Sequence, residues 1–107
     1  MDQIVMPPSR QAKYAWAVDR HRDAILAIVA EHHALNQRIF GSMARGEATT
    51  GSDVDLLVDF TDEASLLDEV GLRLALQNLL EAEVDVVGAD SLHGDVGERI
   101  LHEAIPL

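Results

Sequence analysis

The stretch "RIFGSMARGEATTGSDVDLLVDF", Arg38 to Phe60, sets a Gly-Ser pair ten residues ahead of an Asp-x-Asp. Its second half alternates with a period of two. Val54, Leu56, Val58 and Phe60 fall on one face, and Asp53, Asp55, Leu57 and Asp59 on the other. The pattern predicts a strand with one core face and one face that carries carboxylates. The first half predicts a short strand at Arg38, Ile39 and Phe40, ended by Gly41. A loop rich in Gly, Ser and Thr follows, with a single helical turn near its start.

Upstream, the chain runs from about Arg10 to Leu35 without Gly or Pro, and Trp16, Ile25, Ile28, Val29 and His32 recur at roughly helical spacing. This predicts one long helix, or two with a break near "VDRHRD", with Asn36 as the helix stop and Tyr14 and Trp16 as packing residues. Downstream, "SLLDEVGLRLALQNLLEAE" predicts a helix opened by Ser65 and Asp68 in capping-box spacing, with Leu66, Leu67, Val70 and Leu74 on neighbouring apolar ridges. "EVDVVGA" predicts a short strand whose Val84 and Val86 enter the core. "SLHGDVGERILHEAIPL" predicts a last helix with an apolar stripe of Val96, Ile100, Leu101 and Ala104. The order α, β, loop, β, α, β, α predicts an α/β (α+β) domain.

Composition narrows the function. A chain of 107 residues builds one core, and its 48% apolar content is that of a globular protein. Without cysteine there is no disulfide framework, thiolate metal site or thiol chemistry. The net charge of −11 opposes nonspecific binding to nucleic acid, which depends on Lys and Arg displacing phosphate counterions, and suits either a basic protein partner or a simply solubilising surface. No window holds the run of about eighteen apolar residues that a membrane helix needs. The N-terminus also lacks a basic segment followed by an apolar one, so the expectation is a soluble, cytoplasmic protein. His32 and His33 are adjacent, so on a helix they point about 100° apart and read as a solvated helix end rather than a chelating pair. His21, His93 and His102 are isolated, which disfavours zinc.

Asp53 and Asp55 leave one face of a strand with Cα atoms roughly 6.5 Å apart. Two carboxylates so placed suit shared magnesium ions, hard cations that take oxygen ligands and leave positions for phosphate. Without a cation they repel. Asp85 becomes a third ligand if its strand lies beside the first, and three carboxylates on adjacent strands fit two-metal phosphoryl transfer. An amphipathic strand with an acidic outer face would look the same from Asp-x-Asp alone. The Gly-Ser pair shifts the balance. Gly41 permits close backbone approach to a ligand, and Ser42 offers a hydroxyl and N–H groups to a phosphate. Arg45 can face the same ligand or pair with a carboxylate. Asp59, near the following turn, reads as solvated or capping. A Walker A loop would need Gly-Lys-Ser/Thr after four spacers, which is absent.

Gly41-Ser42, ten residues and Asp53-x-Asp55, with "ARG" at Ala44 to Gly46 and "SDVDLLV" at Ser52 to Val58, resemble the signature of the DNA polymerase beta-like nucleotidyltransferases. More narrowly, they resemble the minimal nucleotidyltransferase (MNT) domain family, from approximately Ala24 to the C-terminus. The resemblance implies the nucleotidyltransferase fold, a small mixed β-sheet flanked by helices. It makes residues 1–107 a single domain, with a helical extension at about residues 10–35 that matches no family motif. It also implies an enzyme that transfers a nucleoside monophosphate from a triphosphate, here ATP, to a hydroxyl. Gly41, Ser42 and Arg45 would contact the nucleotide, Asp53 and Asp55 would bind two Mg2+ ions, and Asp85 would complete one metal and help activate the acceptor. The implied partner is a HEPN-domain ribonuclease toxin, modified on a tyrosine and bound in a hetero-oligomer. Two alternatives stand beside this one: an antitoxin that binds without chemistry, which clustered carboxylates disfavour, and a transferase for a small molecule such as an antibiotic, which the lack of an acceptor domain disfavours.

Overall fold

The structure, a computed structural model, describes residues 18–46 and 53–107. Helix α1 (Arg22–Glu31) leads into strand β1 (Ala34–Phe40), followed by β2 (Val54–Phe60), α2 (Leu66–Leu80) and β3 (Val84–Gly88). A 3-10 turn at Ala89–Ser91, helix α3 (Gly94–Glu103) and a two-residue strand, β4 (Ile105–Pro106), complete the chain. Residues 18–20 are also helical, and the turn at His21 is the break expected near "VDRHRD". The expectations for Tyr14, Trp16 and the start of the extension lie outside the described residues, as does the second half of the Gly-, Ser- and Thr-rich loop.

The strands form one mixed sheet in the order β3-β2-β1-β4. β1 runs antiparallel to β2 and β4, and β2 runs parallel to β3. A parallel pair needs a crossover connection, and α2 supplies it. Ile25 and Val29 of α1 and Leu72 and Leu76 of α2 are buried in one cluster with Ile39, Val54, Leu56, Val58 and Val84 of the sheet. The period-two reading of β2 therefore holds for its core face. Its other face is not bare, because Leu57 is fully buried and its neighbour on that face, Phe40, is buried too.

Several local expectations are corrected. α1 stops at Glu31 and β1 starts at Ala34, so the strand is seven residues long rather than three. Asn36 ends no helix; it sits inside β1 at φ 55°, where the register with β2 shifts between Leu35 and Arg38. Asn tolerates the left-handed region, which serves a bulge as well as a helix end. The helix is closed instead by the histidine pair. Nδ1 of half-buried His32 lies 2.8 Å from the Ile28 carbonyl oxygen, and Nδ1 of His33 lies 3.2 Å from Asp68 Oδ2. His33 is exposed, but the pair is tied into the fold rather than merely solvated. Asp59 is likewise engaged: its carboxylate accepts from Arg38 Nη2 at 2.8 Å and from Asn36 Nδ2 at 3.0 Å.

The capping box at the start of α2 is present, with the Ser65 hydroxyl accepting from the Asp68 N–H and the Asp68 carboxylate accepting from the Ser65 N–H at 2.9 Å. That backbone N–H, and then His33, hold the Asp68 carboxyl below its usual range. Ser65→Ala is expected to cost about 1 kcal/mol. In a domain this size that is a fall of roughly 4–8 °C in thermal midpoint, checked by calorimetry. The cap fixes where the helix begins but not its rotation: Leu72 and Leu76 are buried, while Leu66, Leu67, Val70 and Leu74 face solvent. At the C-terminus the helix ends at Glu103, and Ile105 and Pro106 pair with Ile39 and Arg38. Proline is tolerated there because β4 is an edge strand. Of the expected α3 stripe, Val96 and Leu101 are exposed and Ile100 and Ala104 half-buried.

Candidate active site

The parallel pairing of β2 and β3 places Asp55 directly opposite Asp85, with Val54 opposite Val84 and Leu56 opposite Val86. Residues in register on neighbouring strands share a face, so the two carboxylates point away from the helical layer together. Asp53 precedes β2 by one residue and has the same parity. Asp53 and Asp85 are exposed, and Asp55, on an inner strand, is half-buried. On its other side Asp55 pairs with Phe40 of β1, an apolar neighbour.

Burial, followed by the charges of Asp85 and Asp53, pushes the Asp55 carboxyl up from 3.8 to about 6, against an opposing pull from Arg45. A lone acidic residue on a solvated strand would show no such effect. The three carboxylates therefore feel one another, and the pull of Arg45 offsets them only in part. Among the described residues no three His, Asp or Glu side chains are already drawn together as metal ligands are, so these are neighbours rather than a closed cage. An all-oxygen donor set of mutually repelling carboxylates nonetheless fits magnesium, which binds through few carboxylates and keeps water and phosphate in its remaining positions.

The end of β1 closes against this group. Gly41 has φ +74°, and a Cβ there would run into the Asp55 carboxylate. Glycine suits the position in two ways, by its backbone conformation and by the room it leaves the carboxylate. Gly41 to Gly46 form successive turns, with Arg45 N–H donating to the Gly41 carbonyl at 3.1 Å. Ser42 is half-buried within them, next in the chain to Gly41. The structure thus brings Gly41 and Arg45 to Asp55, and Asp55 to Asp85 and Asp53.

Glu103, at the end of α3, was not singled out in the sequence. Its Oε1 accepts from the Gly41 N–H at 3.2 Å and from Arg45 Nη1 at 3.1 Å, tying α3 to the turn. No motif spacing links it to Gly-Ser, since 62 residues separate it from Gly41. The only sequence signal was an acid at a helix end, where the dipole disfavours it unless a cation is near. Arg45 is thereby shared between a structural carboxylate and the field at Asp55.

Comparison with known proteins identifies the family and the fold. The family model for a nucleotidyltransferase domain matches residues 22–107. A Methanocaldococcus jannaschii protein named for protein adenylyltransferase activity is 43% identical over 81 residues, covering 76% of this chain and 87% of that protein. The protein adenylyltransferase MntA of Thermococcus cleftensis is 43% identical over 67 residues, covering 63% of this chain and 68% of that one. A solved structure named as a minimal nucleotidyltransferase superposes with a TM-score of 0.79 at 46% identity, covering 86% of this chain and 94% of the other. A toxin–antitoxin structure with AMP-PNP shares the fold, with a TM-score of 0.67 at 20% identity over 78% of this chain and 69% of that one. The match over residues 22–107 spans the helical layer, all four strands and the carboxylate face, and the chain belongs to the nucleotidyltransferase-domain family.

Proposed function

We propose that the protein is an antitoxin, a single-domain protein adenylyltransferase that transfers AMP from ATP to a tyrosine hydroxyl of a HEPN ribonuclease toxin, with which it forms a hetero-oligomer. The observation that carries the chemistry is the in-register pairing of Asp55 with Asp85, with Gly41 closed against the Asp55 carboxylate. The adenylyltransferase names of relatives at 43% identity support AMP as the group transferred.

Asp53, Asp55 and Asp85 would hold two Mg2+ ions, which when bound supply the positive charge that the triphosphate and the departing pyrophosphate need. The Ser42 N–H and hydroxyl hold the triphosphate, and Gly41, without a side chain, lets the backbone approach it closely. Arg45 adds a cation beside it and is itself oriented by Glu103. The acceptor oxygen bonds to the α-phosphorus as the bond to the bridging oxygen breaks, and Asp85 takes the hydroxyl proton. Exposure of Asp53 and Asp85 leaves the site open, as an acceptor carried on another protein requires.

The test is the intact mass of the toxin after incubation with this protein, ATP and Mg2+, beside an Asp53→Ala/Asp55→Ala control. The expected result is a gain of one or more AMP units that the control lacks. A stable complex with unchanged toxin mass would replace catalysis with neutralisation by binding. AMP transfer to a small hydroxylated acceptor, without toxin, would move the chain to small-molecule modification.

A further inference from the structure

Helix α2 is apolar on two opposite sides. Leu72 and Leu76 are buried in the core, whereas Leu67 (82% exposed), Val70 and Leu74 (53% exposed) line the solvent side. Positions i, i+3 and i+7 form a continuous ridge along a helix, the spacing by which one helix seats against another. Burying such side chains would be favourable by about 1.5–3 kcal/mol each, so leaving three in line exposed is costly to a monomer. This layer covers the sheet face opposite the carboxylates, so the ridge is not part of the candidate active site.

The ridge continues at its N-terminal end through Leu66, 73% exposed, into a pocket of about 260 Å3 between the ends of β2 and β3. Phe60, Ala64 and Gly88 give it apolar walls, and its two charged lining residues, Glu69 and Asp90, are both acidic. Asp62 and Glu63 before the helix and Glu81 after it extend the negative charge to both ends of the ridge. Arg73 is the helix's single cation. Against a second copy of this chain, ridge on ridge, acidic ends would meet acidic ends, on a protein of net charge −11. A basic partner gains attraction from the same arrangement.

We propose that the outer face of α2 is a docking surface for a helix of a partner protein. That helix presents an apolar stripe to Leu67, Val70 and Leu74 and a Lys or Arg side chain to the Glu69–Asp90 pocket. The proposal rests on the reading that the chain works on another protein. It separates holding that protein from modifying it, because the two surfaces lie on opposite sides of the sheet.

The test is an NMR titration of the full chain with a synthetic amphipathic peptide that carries leucines at helical spacing and lysines at both ends. The same peptide with glutamates in place of the lysines is the comparison. Expected are shifts confined to α2 and the pocket rim, and binding about tenfold tighter for the lysine peptide. Leu67→Glu/Leu74→Glu is expected to weaken it by about tenfold or more. Both leucines are exposed, so the fold should survive. Leu67→Ala/Leu74→Ala gives the same readout with less risk to folding. Equal binding of the two peptides, or shifts away from α2, would overturn the proposal. So would a dimer that Leu67→Glu dissolves, or a ridge already cross-linked to residues 1–17 of the same molecule. Peptide binding requires no nucleotide, so its failure is separate from a failure of AMP transfer.

Discussion

Asp55→Asn is expected to reduce AMP transfer by about 10²–10³-fold, the usual consequence of losing one preorganised electrostatic group at a reacting centre. The same substitution should make the metal-free protein more stable at neutral pH. The sign follows from the Asp55 carboxyl, raised from 3.8 to about 6 by burial first and by Asp85 and Asp53 after it. Between those values the folded chain holds a proton that the unfolded chain has released, so stability falls as pH rises through the window. The penalty is complete above about pH 6 and absent below about pH 3.8. Asparagine has the shape of the side chain without the charge, so the variant's thermal midpoint should exceed that of the parent at pH 8 and converge with it near pH 4. Magnesium should raise the midpoint of the parent at pH 8 and have little effect on the variant. A variant less stable than the parent at pH 8, or equally stabilised by magnesium, would remove Asp55 from the proposed metal site. Such opposition of stability and activity is expected where like charges are gathered for function.

How much of this was legible in the sequence depends on how far each signal reaches. The carboxylate strand declared itself because period-two alternation is local, and the same parity placed Val84 in the core, half-buried Val86 against it and Asp85 on the other face. The capping box is a four-residue signal and survived intact. The rotation of α2 was not readable. Seven of the fifteen residues in "LLDEVGLRLALQNLL" are leucine, distributed around the whole helix, so periodicity offers more than one buried face. Only the sheet decides between them, and the ridge it leaves outside carries the docking proposal. Asn36 misled because one backbone conformation serves both a helix end and a bulge. β4 is two residues long, below any pattern length, and forms because β1 offers it an edge. The contact from Glu103 to Gly41 is set by tertiary approach alone.

Gly41→Ala is expected to be the most damaging change outside the carboxylates, for two separable reasons. At φ +74° an alanine is held in the left-handed region, at a cost of roughly 1–3 kcal/mol. Its Cβ would also run into the Asp55 carboxylate, while two more carboxylates and the Phe40 side of β1 limit where Asp55 can go. The expected result is a thermal midpoint lower by roughly 10 °C and loss of AMP transfer, since Asp55 moves and the turn that carries Ser42 shifts with Gly41. A double-mutant cycle separates the two causes. In an Asp55→Ala background the collision disappears and the backbone strain stays, so Gly41→Ala should cost less there by about 1 kcal/mol or more. Equal cost in both backgrounds would mean that strain alone keeps glycine at this position and that Asp55 has room to spare. A smaller cost beside Asp55→Ala would establish that the Gly-Ser turn and the Asp-x-Asp strand are fitted to each other. On the proposed function, that fit would be the physical content of their spacing: the turn would bring Ser42 to a phosphate that the carboxylate face would reach through metal.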